Sequence, residues 1–129
     1  MSSALKPIAA ITVATLAADA VWLTLNHPYH AQLFKEIQHE PMTVRWFPAV
    51  LVYVLIIAAI YFFAVRDAKS LLEAAGRGAL IGLSMYGLYD LTNYATLINY
   101  SFAMTVTDML WGTALCSFGA LCGFYIRSF

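Results

Sequence analysis

The sequence predicts an all-α integral membrane protein, a single domain of four transmembrane helices with a short amphipathic surface helix between spans one and two. Three observations predict it. Of the 129 residues, 62% are hydrophobic and 11% charged, against about 45–50% and about 25% in soluble domains. Four segments each supply the roughly 20 mostly apolar residues that cross a bilayer. Lysine and arginine fall unequally on alternate connections between those segments. The formal net charge is zero, which suggests no polyanionic partner and sets nucleic acid aside.

Span one covers residues 7–25. Lys6, the apolar run from Ile8 to Leu16 and Ala18-Asp19-Ala20 faintly resemble a signal peptide with its cleavage site. The apolar run continues through Trp22 and Leu25, so the segment reads as an uncleaved helix. The loop that follows contains "HAQLFKEIQHE", which sets Leu33, Phe34 and Ile37 on one face and Lys35, Glu36, Gln38 and His39 elsewhere. Pro28 suits a helix start and Pro41 an end. Residues 29–40 therefore read as a helix lying along the membrane surface. Span two, 46–65, is the purest, with Trp46, Phe47, Phe62 and Phe63 near its ends, where aromatic residues favour the interface. A short basic connection, 66–77, leads to span three, 78–97. A tight turn near 99–102 leads to span four, about 103–126.

Orientation follows from the basic residues. Lys6, Arg66, Lys69, Arg77 and Arg127 share one side, against Lys35 and Arg45 on the other. The excess marks the cytoplasm, so both termini are expected there. Cys116 and Cys122 lie six apart in one run. Helical geometry turns them to different faces, which argues for small packing residues and against a disulfide.

Three acids stand inside the spans: Asp19, Asp90 and Asp108. At 1.5 Å per residue all three lie roughly 7–11 Å beneath the outer boundary. Each sits on a stripe of small or polar residues: Thr12, Thr15, Asp19, Trp22 and Asn26; Gly82, Tyr86, Asp90 and Asn93; Asp108, Gly112, Gly119 and Gly123, with Trp111 beside the last. Such stripes mark helix contacts in membranes, so the three are expected to meet, with span two shielding them from lipid. "DAVWL" and "DMLWG" share Asp-x-x-Trp and "DLTNY" varies it. In each the residue at i+3 shares the acid's face, and Trp or Asn there can donate to a carboxylate.

The plainer readings stand beside this one. Asp19 and Asp108 can be interfacial residues reached by water, and Asp108 can serve the amino end of span four. Asp90 can be structural glue. His27 and His30, three apart near a proline, read better as ordinary surface histidines than as metal ligands. Yet an acid within a span costs about 2.5–3.5 kcal/mol on insertion scales, which makes function the default hypothesis for Asp90. Three clustered carboxylates cannot all ionise cheaply. At least one is expected to hold a proton near neutral pH unless a cation lies between them.

The blocks "LAADAVWL", "GLYDLTNYATL" and "DMLWG" resemble those of a mainly bacterial family of small predicted membrane proteins of unknown function. The resemblance covers the whole chain, and its YDLTNxATL block is the most specific part. It implies the same four-span plan in a bacterial inner membrane, with Asp19, Trp22, Tyr89, Asp90, Asn93, Thr96, Asp108, Trp111 and Gly112 as signature positions. It implies no activity.

Three functions fit these residues. The first is a polar intramembrane pocket near the outer side, binding a small molecule or lipid headgroup, with acid–base chemistry as an extension. Asp90 would exchange the proton and Asp19 or Asp108 would be its partner carboxylate. Tyr86, Tyr89, Asn93, Trp22, Trp111, Thr15 and Asn26 would line the pocket, and His27, His30 and Tyr29 could cover its entrance. The second is proton or cation movement, although polar residues thin out toward the cytoplasm and a pore would need an oligomer. The third is a non-catalytic assembly partner, a homo-oligomer included, joined through Gly78/Gly82 and Gly119/Gly123. No nucleophile motif, metal motif or phosphate-binding glycine loop appears, and no cofactor is indicated.

Overall fold

A computed structural model describes residues 2–129. They form α1 (Ser2–Gln38), α2 (Trp46–Ala59), a π-helical turn that continues α2 (Ile60–Val65), α3 (Leu71–Thr96) and α4 (Phe102–Arg127). The protein is an all-α integral membrane protein. Three stretches are long and apolar enough to cross a membrane: Ser3–Gln38, Trp46–Val65 and Phe102–Arg127. The 26-residue α3 is not among them, because Tyr86, Tyr89, Asp90, Asn93 and Tyr94 dilute its apolar character. Outward faces carry Val54, Leu55, Leu80, Leu88, Leu91 and Leu110, all exposed, as suits contact with lipid chains.

The separate surface helix is a correction. Residues 29–38 are helical but form the far part of α1, which passes through Pro28 without a break. Pro28 withholds a single backbone hydrogen bond, while packing beyond it holds the helix on course. Leu33, with Phe34 and Ile37 beside it, packs against Leu97, Tyr100 and Met104. The helix ends instead at His39, whose φ of 62° is the left-handed conformation common just past a helix end. Its N–H donates to the Lys35 carbonyl at 2.8 Å. At 37 residues α1 is about 55 Å long, well beyond a hydrocarbon core of about 30 Å.

Two helix starts are fixed by serine caps. Ser70 Oγ accepts the Glu73 N–H at 3.0 Å while the Glu73 carboxylate accepts the Lys69 N–H at 2.7 Å. This reciprocal arrangement starts α3 at Leu71, seven residues before the expected span. Ser101 Oγ accepts the Met104 N–H at 2.9 Å and starts α4.

Glycines set the closest packing. A Cβ built on Gly82 would collide with the carbonyl group of Gly112, and one on Gly78 would lie 2.5 Å from the Cys116 carbonyl oxygen. Only hydrogen lets α3 approach α4 so closely. Farther along α4, Gly119 receives Thr15 and Gly123 receives Ile11 and Val65. The glycine faces expected to join separate copies are thus consumed inside one chain.

The helices form a ring in which α4 lies between α1 and α3, and α2 lies beside α1. What closes on α3 is the π-helical turn rather than α2 itself. Arg127 fastens that turn, donating to the carbonyls of Val65 (2.6 Å), Arg66 (2.8 Å) and Ala68 (2.8 Å). Ala4 and Ile8 pack on the same apolar cluster as Val65, Ala68 and Ala74. One end of the ring therefore gathers Lys6, Arg66, Lys69, Arg77 and Arg127. Toward the other end α2 and α3 stand apart. Cys116 and Cys122 are both free thiols.

Candidate functional site

Tyr53 lies seven residues into α2, Asp90 six before the end of α3 and Asp108 six into α4. At 1.5 Å per residue each is roughly 10 Å below its helix end. Asp19, halfway along α1, meets the same layer through its hydrogen bonds. All three acids are buried, and Asp90 has no exposed surface.

The hydrogen bond that Asp90 accepts comes from the loop rather than from a helix. Tyr100 Oη donates to Asp90 Oδ1 at 2.6 Å. Burial first, then this carboxyl, push the Tyr100 phenol well above its ordinary pKa, which keeps it a donor. Asn93 stands within reach of the Tyr100 and Tyr89 hydroxyls. Asp90 Oδ2 has no partner among the described residues, and Asp108 lies close to the same carboxyl group.

Asp19 belongs to a second cluster. Tyr53 Oη donates to its Oδ2, and Trp111 Nε1 donates to Oδ1 at 3.0 Å. Trp111 stacks on Trp22 with centroids 4.7 Å apart and planes 4° from parallel. Trp22 Nε1 is buried with no partner among the described residues. The Tyr86 ring covers Gly112, where a side chain would collide with it, and lies near Asp19, Asp108 and Tyr53. The layer thus holds Asp90 and Asp108 together and Asp19 apart from them, bridged by aromatic residues. Among the described residues no three His, Cys, Asp or Glu side chains are grouped as metal ligands.

The gap between α2 and α3 is a cavity of about 430 Å³. Val52, Leu55 and Ile56 form one wall, Met85, Tyr86 and Tyr89 the other, and Asp108 reaches it from α4. Val52, Leu55 and Tyr89 are exposed along it, so it opens sideways. Beneath the polar layer the bundle is dry and tight: Ile11, Ile60, Leu115, Cys116 and Ala120 are fully or almost fully buried.

The expected site residues divide. Asp90, Asp108, Tyr86 and Tyr89 gather at or beside the larger cavity. Asp19 and Trp111 form the bridge. Trp22 and Asn26 line a smaller cavity of about 240 Å³ between α1 and α4. Thr15 is buried below the layer, its hydroxyl donating to the Ile11 carbonyl of its own helix at 2.7 Å. His27 is exposed, but His30 is buried beside the smaller cavity, so the surface reading fails for it. Two polar partners escaped the sequence reading. Tyr53 gives α2, expected to be a plain shield, a hydrogen bond to Asp19, and its only signal was being the lone polar residue in "LVYVLIIAA". Tyr100 lay in an apparent turn and carried no signal.

Comparison with known proteins matches residues 4–125 to the model of a family described as "Predicted membrane protein (DUF2177)". No curated protein matches, and no solved structure does. Since the match spans nearly the whole chain, the protein belongs to this family of predicted membrane proteins.

Proposed function

We propose that this is a four-span binding protein whose groove between α2 and α3 takes an amphiphile entering from the bilayer. The apolar body of the ligand lies against Val52, Leu55, Ile56 and Met85. Its head, an amine or hydroxyl, donates to Asp108, behind which Asp90 is buried, while Tyr86 and Tyr89 orient it. One observation carries this reading: a cavity within the ordinary ligand-pocket range of about 300–1,000 Å³ has aliphatic and tyrosine walls with a single acid at its floor. Where the bound head exchanges a proton, the pair supplies acid and base in adjacent groups.

On this reading α3 crosses the membrane as the others do, its polar side chains turned to the bundle. Both termini face the cytoplasm, on the side where five of the seven basic residues gather. A proton path through one protomer would have to cross the dry layer of Ile11, Ile60 and Leu115, which favours binding over conduction.

The test uses fluorescence. The chain has three tryptophans, and Trp46→Phe leaves Trp22 and Trp111 as emitters. In liposomes, brominated dodecylamine should quench them saturably and brominated dodecanoate should not. Asp108→Asn should raise the half-quenching concentration by about tenfold or more, equivalent to about 1.4 kcal/mol, and Leu55→Phe should raise it by narrowing the groove. Equal, unsaturable quenching by both probes would refute the reading.

A further inference from the structure

The smaller cavity lies on the other side of the aromatic bridge. Trp22, Asn26, Tyr29 and His30 line it from α1, and Ala103 and Thr107 from α4. We infer that this chamber is a second binding site, for an uncharged group with a carbonyl-type oxygen that accepts hydrogen bonds from Trp22 Nε1 and His30.

The inventory of donors carries the inference. Asn26 Nδ2 donates to the Trp22 carbonyl at 2.9 Å, and the Tyr29 and Ser101 hydroxyls share a hydrogen bond of 2.5 Å. Trp111, the stacked mate of Trp22, has already given its N–H to Asp19. That leaves the Trp22 indole N–H, buried without a partner, together with the buried His30 imidazole and the Thr107 hydroxyl, neither of which bonds anything among the described residues. A buried donor left unmet is costly, so an acceptor in the chamber that meets it gains affinity. Indole nitrogen only donates, which selects an acceptor.

Charge narrows the choice further. His27, Asp19 and Asp90 all lie within electrostatic reach of His30, a mixed surrounding that favours neither sign of charge. At the indole a cation finds a donor where it needs an acceptor. A neutral ester or amide oxygen satisfies both constraints. Such an oxygen can come from a lipid ester or from a small free molecule, and one experiment separates the two.

Full-length protein labelled with ¹⁵N in its tryptophans gives three indole N–H resonances. In bilayers of ether-linked phospholipid, N-methylacetamide should move the Trp22 resonance saturably while those of Trp46 and Trp111 stay in place. Acetate and tetramethylammonium should have no such effect. A matching Trp22 shift on changing to ester-linked lipid, without additive, assigns the group to lipid; its absence assigns the group to a free molecule. Ala103→Phe, which fills the chamber from an exposed wall position, and His30→Phe should each abolish the saturable shift. An unmoved Trp111 resonance then certifies that the fold is intact. The inference is overturned if the Trp22 resonance ignores both N-methylacetamide and ester lipid. It is equally overturned if that resonance drifts linearly together with Trp46, or if its shift survives in Ala103→Phe.

Discussion

Removing the Tyr100 hydroxyl would leave Asp90 without its hydrogen bond in a place water does not reach. Tyr100→Phe should therefore destabilise the protein by about 1–3 kcal/mol, the cost of an unmet buried group. Tyr53→Phe should cost less, because Asp19 keeps the Trp111 donor. Reversible unfolding in mixed micelles measures both, and a neutral Tyr100→Phe would show that water reaches Asp90. At this scale the sequence was legible where a residue type is out of place. Asp90 in an apolar run announces itself by its insertion cost, and Asp-x-x-Trp at Asp108 placed Trp111 on the polar side of its helix. Tyr53, Tyr100 and His30 were illegible for the opposite reason. Tyrosine belongs equally in cores, interfaces and sites, and only its partner across space distinguishes them.

At the scale of elements, two glycines of α3 should behave oppositely. Gly82→Ala places a methyl group against the α4 backbone, which cannot yield as a side chain can. The helices must separate, at a cost of about 1–3 kcal/mol or more. Gly76→Ala meets nothing within 4 Å and should gain up to about 1 kcal/mol from helix propensity. The difference in unfolding free energy between the two variants checks the α3–α4 contact, and similar values for both would deny it. The glycine stripes could be read from spacing as packing faces, but not which helix each would meet. The three apolar helices were likewise readable from hydropathy and length. The break at Pro28 was misread because a proline's local cost, one lost backbone bond, was outweighed by packing of Leu33 against Tyr100 and Met104. Those partners lie more than sixty residues away, and no local signal carries them.

Over the whole molecule, the ring is fastened at its basic end by Arg127 and the π-helical turn and parts at the other between α2 and α3. That asymmetry places the lateral groove beside the acid layer, and it arises from contacts between distant segments. The proposed binding of an amphiphile and the acid–base chemistry proposed with it depend on one arrangement: Asp90 and Asp108 side by side, Asp19 bridged to them by aromatic residues, and water kept out. The chain has four aspartates, and the fourth, Asp67, is exposed and serves as an internal control. Water-edited solid-state NMR of protein labelled with ¹³C at its aspartate carboxyls, in lipid bilayers, tests the arrangement most directly. The account expects a through-space cross-peak between Asp90 and Asp108, with rapid polarisation from water at Asp67 alone. Equally fast polarisation of all four carboxyls, with no Asp90–Asp108 cross-peak, would contradict it.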